Sequence, residues 1–134
     1  MVVLIHMDAS LLTIQPTAAE PIYRQIVDQL RRLIAGGQLT SGETLPSVRE
    51  VAGFHAINPM TVSRAYSLAE SEGLLQRLRG KGMVVAARRG GGDSEAERLQ
   101  LLEPALLDLR RKAQELELTA EPVLLRLQQL LKAP

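Results

Sequence analysis

The chain has no cysteine and no tryptophan, and only three aromatic residues, Tyr23, Phe54 and Tyr66, among its 134 positions. Lack of cysteine excludes a disulfide scaffold and any cysteine-ligated zinc or iron site. Two histidines, His6 and His55, are too few for a His-rich centre, so no metal and no cofactor is expected. Three rings are too few for RNA recognition on base-stacking platforms. Long apolar runs are missing too. The opening MVVLI is short for a signal-peptide core and no Lys or Arg precedes it. Nothing approaches the roughly 18 apolar residues of a membrane span. A cytoplasmic protein without a membrane partner is expected, and Met7 is a second candidate start.

The formal net charge is only +1, yet the sign is unevenly spread. Up to Arg89 there are ten basic and seven acidic residues, a surplus of three; beyond it there are six and eight, a deficit of two. The two parts look built for different partners.

Residues 10–14, SLLTI, read as a short strand. Helical spacing starts at Pro21, a favourable first-turn residue because its missing amide donor would be unsatisfied there anyway. Ile22, Ile26, Leu30 and Ile34 then recur, widened by Val27 and Leu33, until Gly36 and Gly37 stop the helix. A polar turn follows, with Leu39 and Leu45 as apolar anchors. Ser47 and Glu50 spell a capping box for a second, short helix, with Val48, Val51 and Ala52 inward. Asn58 and Pro59 start a third, with Val62, Ala65, Tyr66 and Ala69 inward and Thr61, Ser63 and Arg64 on or near the other side. Gly73 ends it. LLQRLRGKGMVVAARR reads as a hairpin turning at Arg79-Gly80-Lys81-Gly82. GGGDS is a linker.

In residues 93–134, Leu99, Leu102, Leu106, Leu109, Ala113 and Leu116 step by three and four, a heptad-like seam. Pro104 lies inside it and kinks the helix or marks a fresh start. Thr119 can cap a last helix with Val123, Leu127, Leu130 and Leu131 on one side, while Leu101, Leu107 and Leu125 widen the stripes. About 40 residues do not bury this much leucine alone, so a partner surface is expected.

The fold class is therefore mainly α with a small β-hairpin: a winged helix-turn-helix at 10–89, then a helical dimerisation hairpin at 93–134. In such a unit the later helix enters the major groove and its first residues meet base edges. Here the residues carry a resemblance. PIYRQIVDQLRRLIAGGQLTSGETLPSVREVA, INPMTVSRAY and EGLLQRLRGKGMVV resemble, from about Glu20 to Val85, the DNA-binding domain of the GntR family of bacterial transcription regulators. The short leucine-rich tail resembles the YtrA-type subfamily, whose two C-terminal helices dimerise. The resemblance implies operator binding as a homodimer, usually in repression, often beside transporter operons. It implies DNA contact by Arg49, by Asn58, Met60, Thr61, Ser63 and Arg64 of the recognition helix, and by Arg79, Gly80 and Lys81 of the wing.

Residue chemistry agrees for several of these. Arg49 can take a guanine bidentately or a phosphate. Ser47 and Thr61 can bond phosphate near exposed helix-start amides. Gly80 lets the backbone approach closely between two cations. Arg77, Arg79, Lys81, Arg88 and Arg89 form a stretch without acids. The plainer readings are a surface Arg49 paired with Glu50 or Glu43, a solvated face for Arg64, a Met60 that covers the turn or touches a thymine methyl, and a solvated hairpin. Tyr66 is expected in the core with its hydroxyl near a phosphate. His55 stands where the family commonly has Leu, Ala56 where it has the turn Gly, and Leu68–Ala69 where a polar residue and Leu are usual. A small Ala69 is expected to make room for the His55 ring. Glu95 and Glu97 form a solvated face rather than a metal site.

Double-stranded DNA and a second copy of the chain are thus the expected partners. Leu99, Leu102, Leu106, Leu109, Leu116, Leu127 and Leu130 are expected at the dimer contact. No effector is identified. A second reading is an interaction adaptor, with winged helix and tail both used for protein docking. No nucleophile–base arrangement points to an enzyme, and RGKG lacks the strand–loop–helix context of a phosphate loop.

Overall fold

In the computed structural model, which describes residues 7–87 and 94–134, the periodicity after Pro21 becomes helix α1 (Ile22–Ala35). Its buried stripe is Ile26, Val27, Leu30 and Ile34. The chain stops helically at Gly36, and Gly37 turns away at φ +82°. Leu39 and Leu45 anchor the following turn in the core. α2 (Val48–His55) opens on the expected capping box: Glu50 N donates to Ser47 Oγ at 3.0 Å and Ser47 N to Glu50 Oε1 at 3.2 Å. α3 (Pro59–Ser71) opens on Asn58, whose Oδ1 accepts from Met60 N at 2.8 Å. It buries Val62, Ala65, Tyr66 and Ala69 against α1 and α2. β1 (Leu75–Leu78) and β2 (Gly82–Val85) pair antiparallel, Leu75 opposite Val85 and Leu78 opposite Gly82.

Two features of this first unit depart from expectation. Residues 10–14 are not a strand. Asp8 caps a single 3₁₀ turn at Ala9–Leu11, and the backbone beyond is held by side chains of α1. Thr13 N donates to Gln29 Oε1 at 2.7 Å, and Gln29 Nε2 donates back to the Thr13 carbonyl. Gln15 N donates to Gln25 Oε1 at 2.9 Å, and Gln25 Nε2 donates to the carbonyls of Gln15 and Glu20. Two glutamines one helical turn apart thus do what a neighbouring strand would do for alternate residues. Beside them a hydrogen bond with Asp28 raises the Glu20 carboxyl above its usual range.

The polar turn before α2 also pairs with the hairpin. Thr44 bridges Val84, Leu45 N donates to the Met83 carbonyl at 2.9 Å and Val85 N to the Glu43 carbonyl at 2.9 Å. Met7 in turn donates to the Thr44 carbonyl and is 1% exposed. The base of the wing is therefore clamped on both sides of β2, while its tip is carried by two strands.

The link between α2 and α3 puts Ala56 at φ 55°, ψ 48°, in the left-handed region. Ile57 N closes the helix end on the Ala52 carbonyl at 3.0 Å, the helix-end arrangement that glycine normally serves. An alanine there costs about 1–2 kcal/mol, and a glycine loses about half of that gain to chain entropy. Ala56→Gly is expected to stabilise by about 0.5–1 kcal/mol, read as a raised Tm; an unchanged or lower Tm would contradict it.

The second unit is described by itself. α4 (Glu95–Gln100) is capped by Ser94 Oγ, which accepts from Glu97 N at 3.1 Å. The chain breaks at Leu101–Leu102 and starts afresh as α5 (Glu103–Glu115). Pro104 stands in the first turn of α5 and has no amide to continue a helix from α4. The seam therefore lies on two helices, not one. α6 (Ala120–Lys132) begins at Thr119, whose side chain makes no cap bond. The tail thus has three helices where the resemblance implied two. None of them has a buried residue. On α5, Arg111 pairs with Asp108 and Glu115, and Lys112 with Asp108 at 3.0 Å. These bonds, from Lys112 first and then Arg111, hold the Asp108 carboxyl below its usual range.

Candidate nucleic-acid interface

The capping box fixes where Arg49 stands, one residue into α2 and exposed. The two carboxylates nearest in sequence make other hydrogen bonds. Glu50 Oε1 accepts from Ser47 N, and Glu43, nearly buried, turns to Thr40, whose N and Oγ1 both lie 3.3 Å from Oε1. Among the described residues Arg49 makes no ion pair. Ser47 Oγ accepts one bond and keeps its own hydrogen to donate. Asn58 commits Oδ1 to its cap and keeps two amide donors.

Behind these residues the two helices are tied together. The Tyr66 hydroxyl donates to the Pro46 carbonyl at 2.7 Å, and the side chain is 3% exposed. This corrects the expectation of a phosphate contact. Burial, and secondarily Glu50, push the phenol well above its usual pKa, so it stays a neutral donor. The bond joins the residue before the α2 cap to the middle of α3. Arg31 of α1 pairs with Glu72 just after α3.

Along α3, Met60 is 73% exposed, Thr61 and Ser63 are half-buried, and Arg64 is exposed. The Arg64 guanidinium lies over the Tyr23 ring of α1, 3.8 Å from its centroid. The plain solvated reading of Arg64 is therefore incomplete. At the wing, Lys81 N closes the turn on the Leu78 carbonyl at 3.1 Å. Gly80 sits at φ +83° with open space around it. Arg77, Arg79 and Lys81 are exposed and in no ion pair among the described residues. Arg88 and Arg89 lie outside the described residues.

His55 finds a partner other than the one expected. Its Nε2 lies 2.9 Å from the Ala9 carbonyl, which makes Nε2 the protonated nitrogen, and its ring stacks edge-on with Phe54 at 4.9 Å. The N-terminal turn thus supplies the polar partner of a histidine there. Phe54 itself is 61% exposed. The Tyr23–Arg64 contact left no mark in the sequence, since no local pattern links residues so far apart in the chain.

Among the described residues no helix is long and apolar enough to cross a membrane. The family pattern described as bacterial regulatory proteins, gntR family, matches residues 22–85, which span α1 to the end of β2. The chain is 42% identical over 76 residues to the HTH-type transcriptional repressor YtrA of Bacillus subtilis, covering 57% of this chain and 58% of that protein. It is 35% identical over 107 residues to the HTH-type transcriptional regulator YhcF of the same organism, covering 80% of this chain and 87% of that one. A solved structure, YtrA from Sulfolobus acidocaldarius, a GntR-family transcription factor, superposes with a TM-score of 0.53 at 32% identity, over 73% of this chain and 98% of that one. Members of the family are regulators, not enzymes. With a capped helix pair, an exposed basic hairpin and these relatives, the chain belongs to the GntR family of DNA-binding transcription regulators.

Proposed function

We propose that the chain is a repressor that acts in the cytoplasm as a homodimer on an inverted-repeat operator. In this reading α3 enters the major groove, α2 presents Arg49 and the wing tip meets the neighbouring backbone. The observation that carries it is the cationic set itself. Arg49, Arg79 and Lys81 stand exposed, with no ion pair among the described residues. Protein surfaces normally intersperse such charges with acids, and phosphates supply what is missing here.

Ser47, Asn58, Met60, Thr61, Ser63, Arg64 and Gly80 complete the proposed interface. Their expected division of labour follows from their atoms. Ser47 and the amides at the helix starts take phosphate oxygens, Arg49 takes a guanine edge, and Met60 offers an apolar surface to a thymine methyl. The leucines of the tail support dimerisation. Leu99, Leu102, Leu106, Leu109, Leu116 and Leu130 are all exposed and Leu127 is half-buried. Leu118 and Leu124, which the leucine spacing did not single out, are exposed as well. A two-fold dimer pairs such a surface with itself and relates two reading heads by the same axis. The resemblance of the short leucine-rich tail to YtrA-type regulators supports a transporter operon as the proposed regulated unit.

Titration of duplex DNA at two salt concentrations tests the reading. Binding should weaken steeply as salt rises, and Lys81→Ala should flatten the log–log slope by about one for the lost phosphate contact, on every sequence alike. Salt-independent or absent binding would instead favour a protein-docking adaptor.

A further inference from the structure

Arg64 lies in the second turn of α3, on the same side as Met60 and Thr61, which precede it by four and three residues. Its guanidinium does not project freely. It lies over Tyr23 at 3.8 Å from the ring centroid, well inside the range of a cation–π contact. Arg24 lies at the outer edge of that range, 5.6 Å from the same ring. Among the described residues no carboxylate pairs with Arg64. Tyr23 is itself half-buried and sits in the first turn of α1, a helix packed along α3.

A guanidinium stacked on a ring uses its π-face and leaves the N–H edge free. That edge is the fork that matches phosphate or guanine. A long, unpaired arginine would otherwise lose rotamer freedom on contact with DNA.

We infer that Tyr23 is a positioning residue for DNA recognition: its ring holds Arg64 flat and pre-oriented, with the N–H edge turned to the duplex. The inference rests on the proposed role of α3 in DNA binding. It adds a residue of α1 to the recognition apparatus, through the ring and not through the hydroxyl.

A double-mutant cycle tests it, on a duplex enriched from a random pool by the full-length wild-type protein. Tyr23→Leu is expected to weaken binding about three- to thirtyfold, the range of a cation–π contact. Tyr23→Phe keeps the ring and is expected to stay within about twofold. In an Arg64→Ala background, Tyr23→Leu should cost almost nothing further. Arg64→Lys keeps the charge but not the planar fork, and should bind nearly as poorly as Arg64→Ala. This last comparison leaves Tyr23 untouched, so it holds even if Tyr23→Leu lowers stability. Losses that multiply across the cycle would overturn the inference. So would a Tyr23→Phe defect equal to that of Tyr23→Leu, or wild-type binding by Arg64→Lys. Failure of the wider reading looks different, because Arg49→Ala would then bind like wild type. Failure of this inference alone leaves Arg49→Ala defective.

Discussion

Removal of residues 94–134 is expected to leave a folded monomer that binds its operator about a hundred- to ten-thousandfold more weakly than the full chain. The expectation follows from where the core lies. Among the described residues every buried apolar one, from Met7 through Leu30, Val62 and Tyr66 to Val85, belongs to the first unit. The described helices of the tail contribute none. The tail instead carries leucines exposed from 37% at Leu109 to 78% at Leu131. Full burial of a leucine contributes about 1.5–3 kcal/mol, so covering even some of them against a second copy drives association. Once that contact is gone, each reading head binds a half-site alone. The second half-site no longer profits from the raised local concentration that linkage gives. Sedimentation and a melting curve separate the outcomes. A truncated chain that stays a tight dimer would remove the tail from the interface, and one that unfolds would mean that the tail supports the core after all.

Arg49→Ala is the second large effect. If Arg49 reads a guanine edge, its loss should cost about 1–3 kcal/mol on the cognate sequence and relax preference at one position of each half-site. The fold should be unaffected. Arg49 is exposed, and the capping box beside it is made by Ser47 and Glu50 without its help. Stability measured alongside affinity should therefore be unchanged. The contrast with Lys81→Ala is informative. Loss of a phosphate contact lowers affinity for all sequences together, whereas loss of a base contact compresses the gap between cognate and random DNA. Equal affinity of Arg49→Ala and wild type for the cognate duplex would sink the assignment.

The parts legible in the sequence were those set by local chemistry. The capping box at Ser47–Glu50, the Asn58–Pro59 start, the stop at Gly36–Gly37 and the turn at Gly80 each depend on a few adjacent residues. So do the apolar stripes of α1 and α3. What escaped depended on distant partners. The extended segment at Thr13–Gln15 is held by glutamine amides on α1, a pairing that mimics a strand without one. The Thr44 bridge to Val84 is too short to leave an alternating pattern. Tyr66 was rightly placed inside, but its hydroxyl is used 20 residues away on Pro46. The His55 ring nitrogen meets the Ala9 carbonyl, 46 residues away in the chain. In the tail, the fresh start at Pro104 was legible as well, because the amide that proline lacks is a local property.

Among the candidate site residues, position and exposure were easier to foresee than interactions. Arg49, Arg79 and Lys81 stand open as expected. Arg64 is the exception, since the ring beneath it changes what a solvated arginine means.

The central claim is that two copies of this chain read two halves of one operator. Selection of duplexes from a random pool by the purified full-length protein tests it most directly. The account predicts enrichment of an inverted repeat, with its two half-sites centred one helical turn of DNA apart or a whole number of turns. Enrichment of a single asymmetric site, or of no sequence at all, would contradict it.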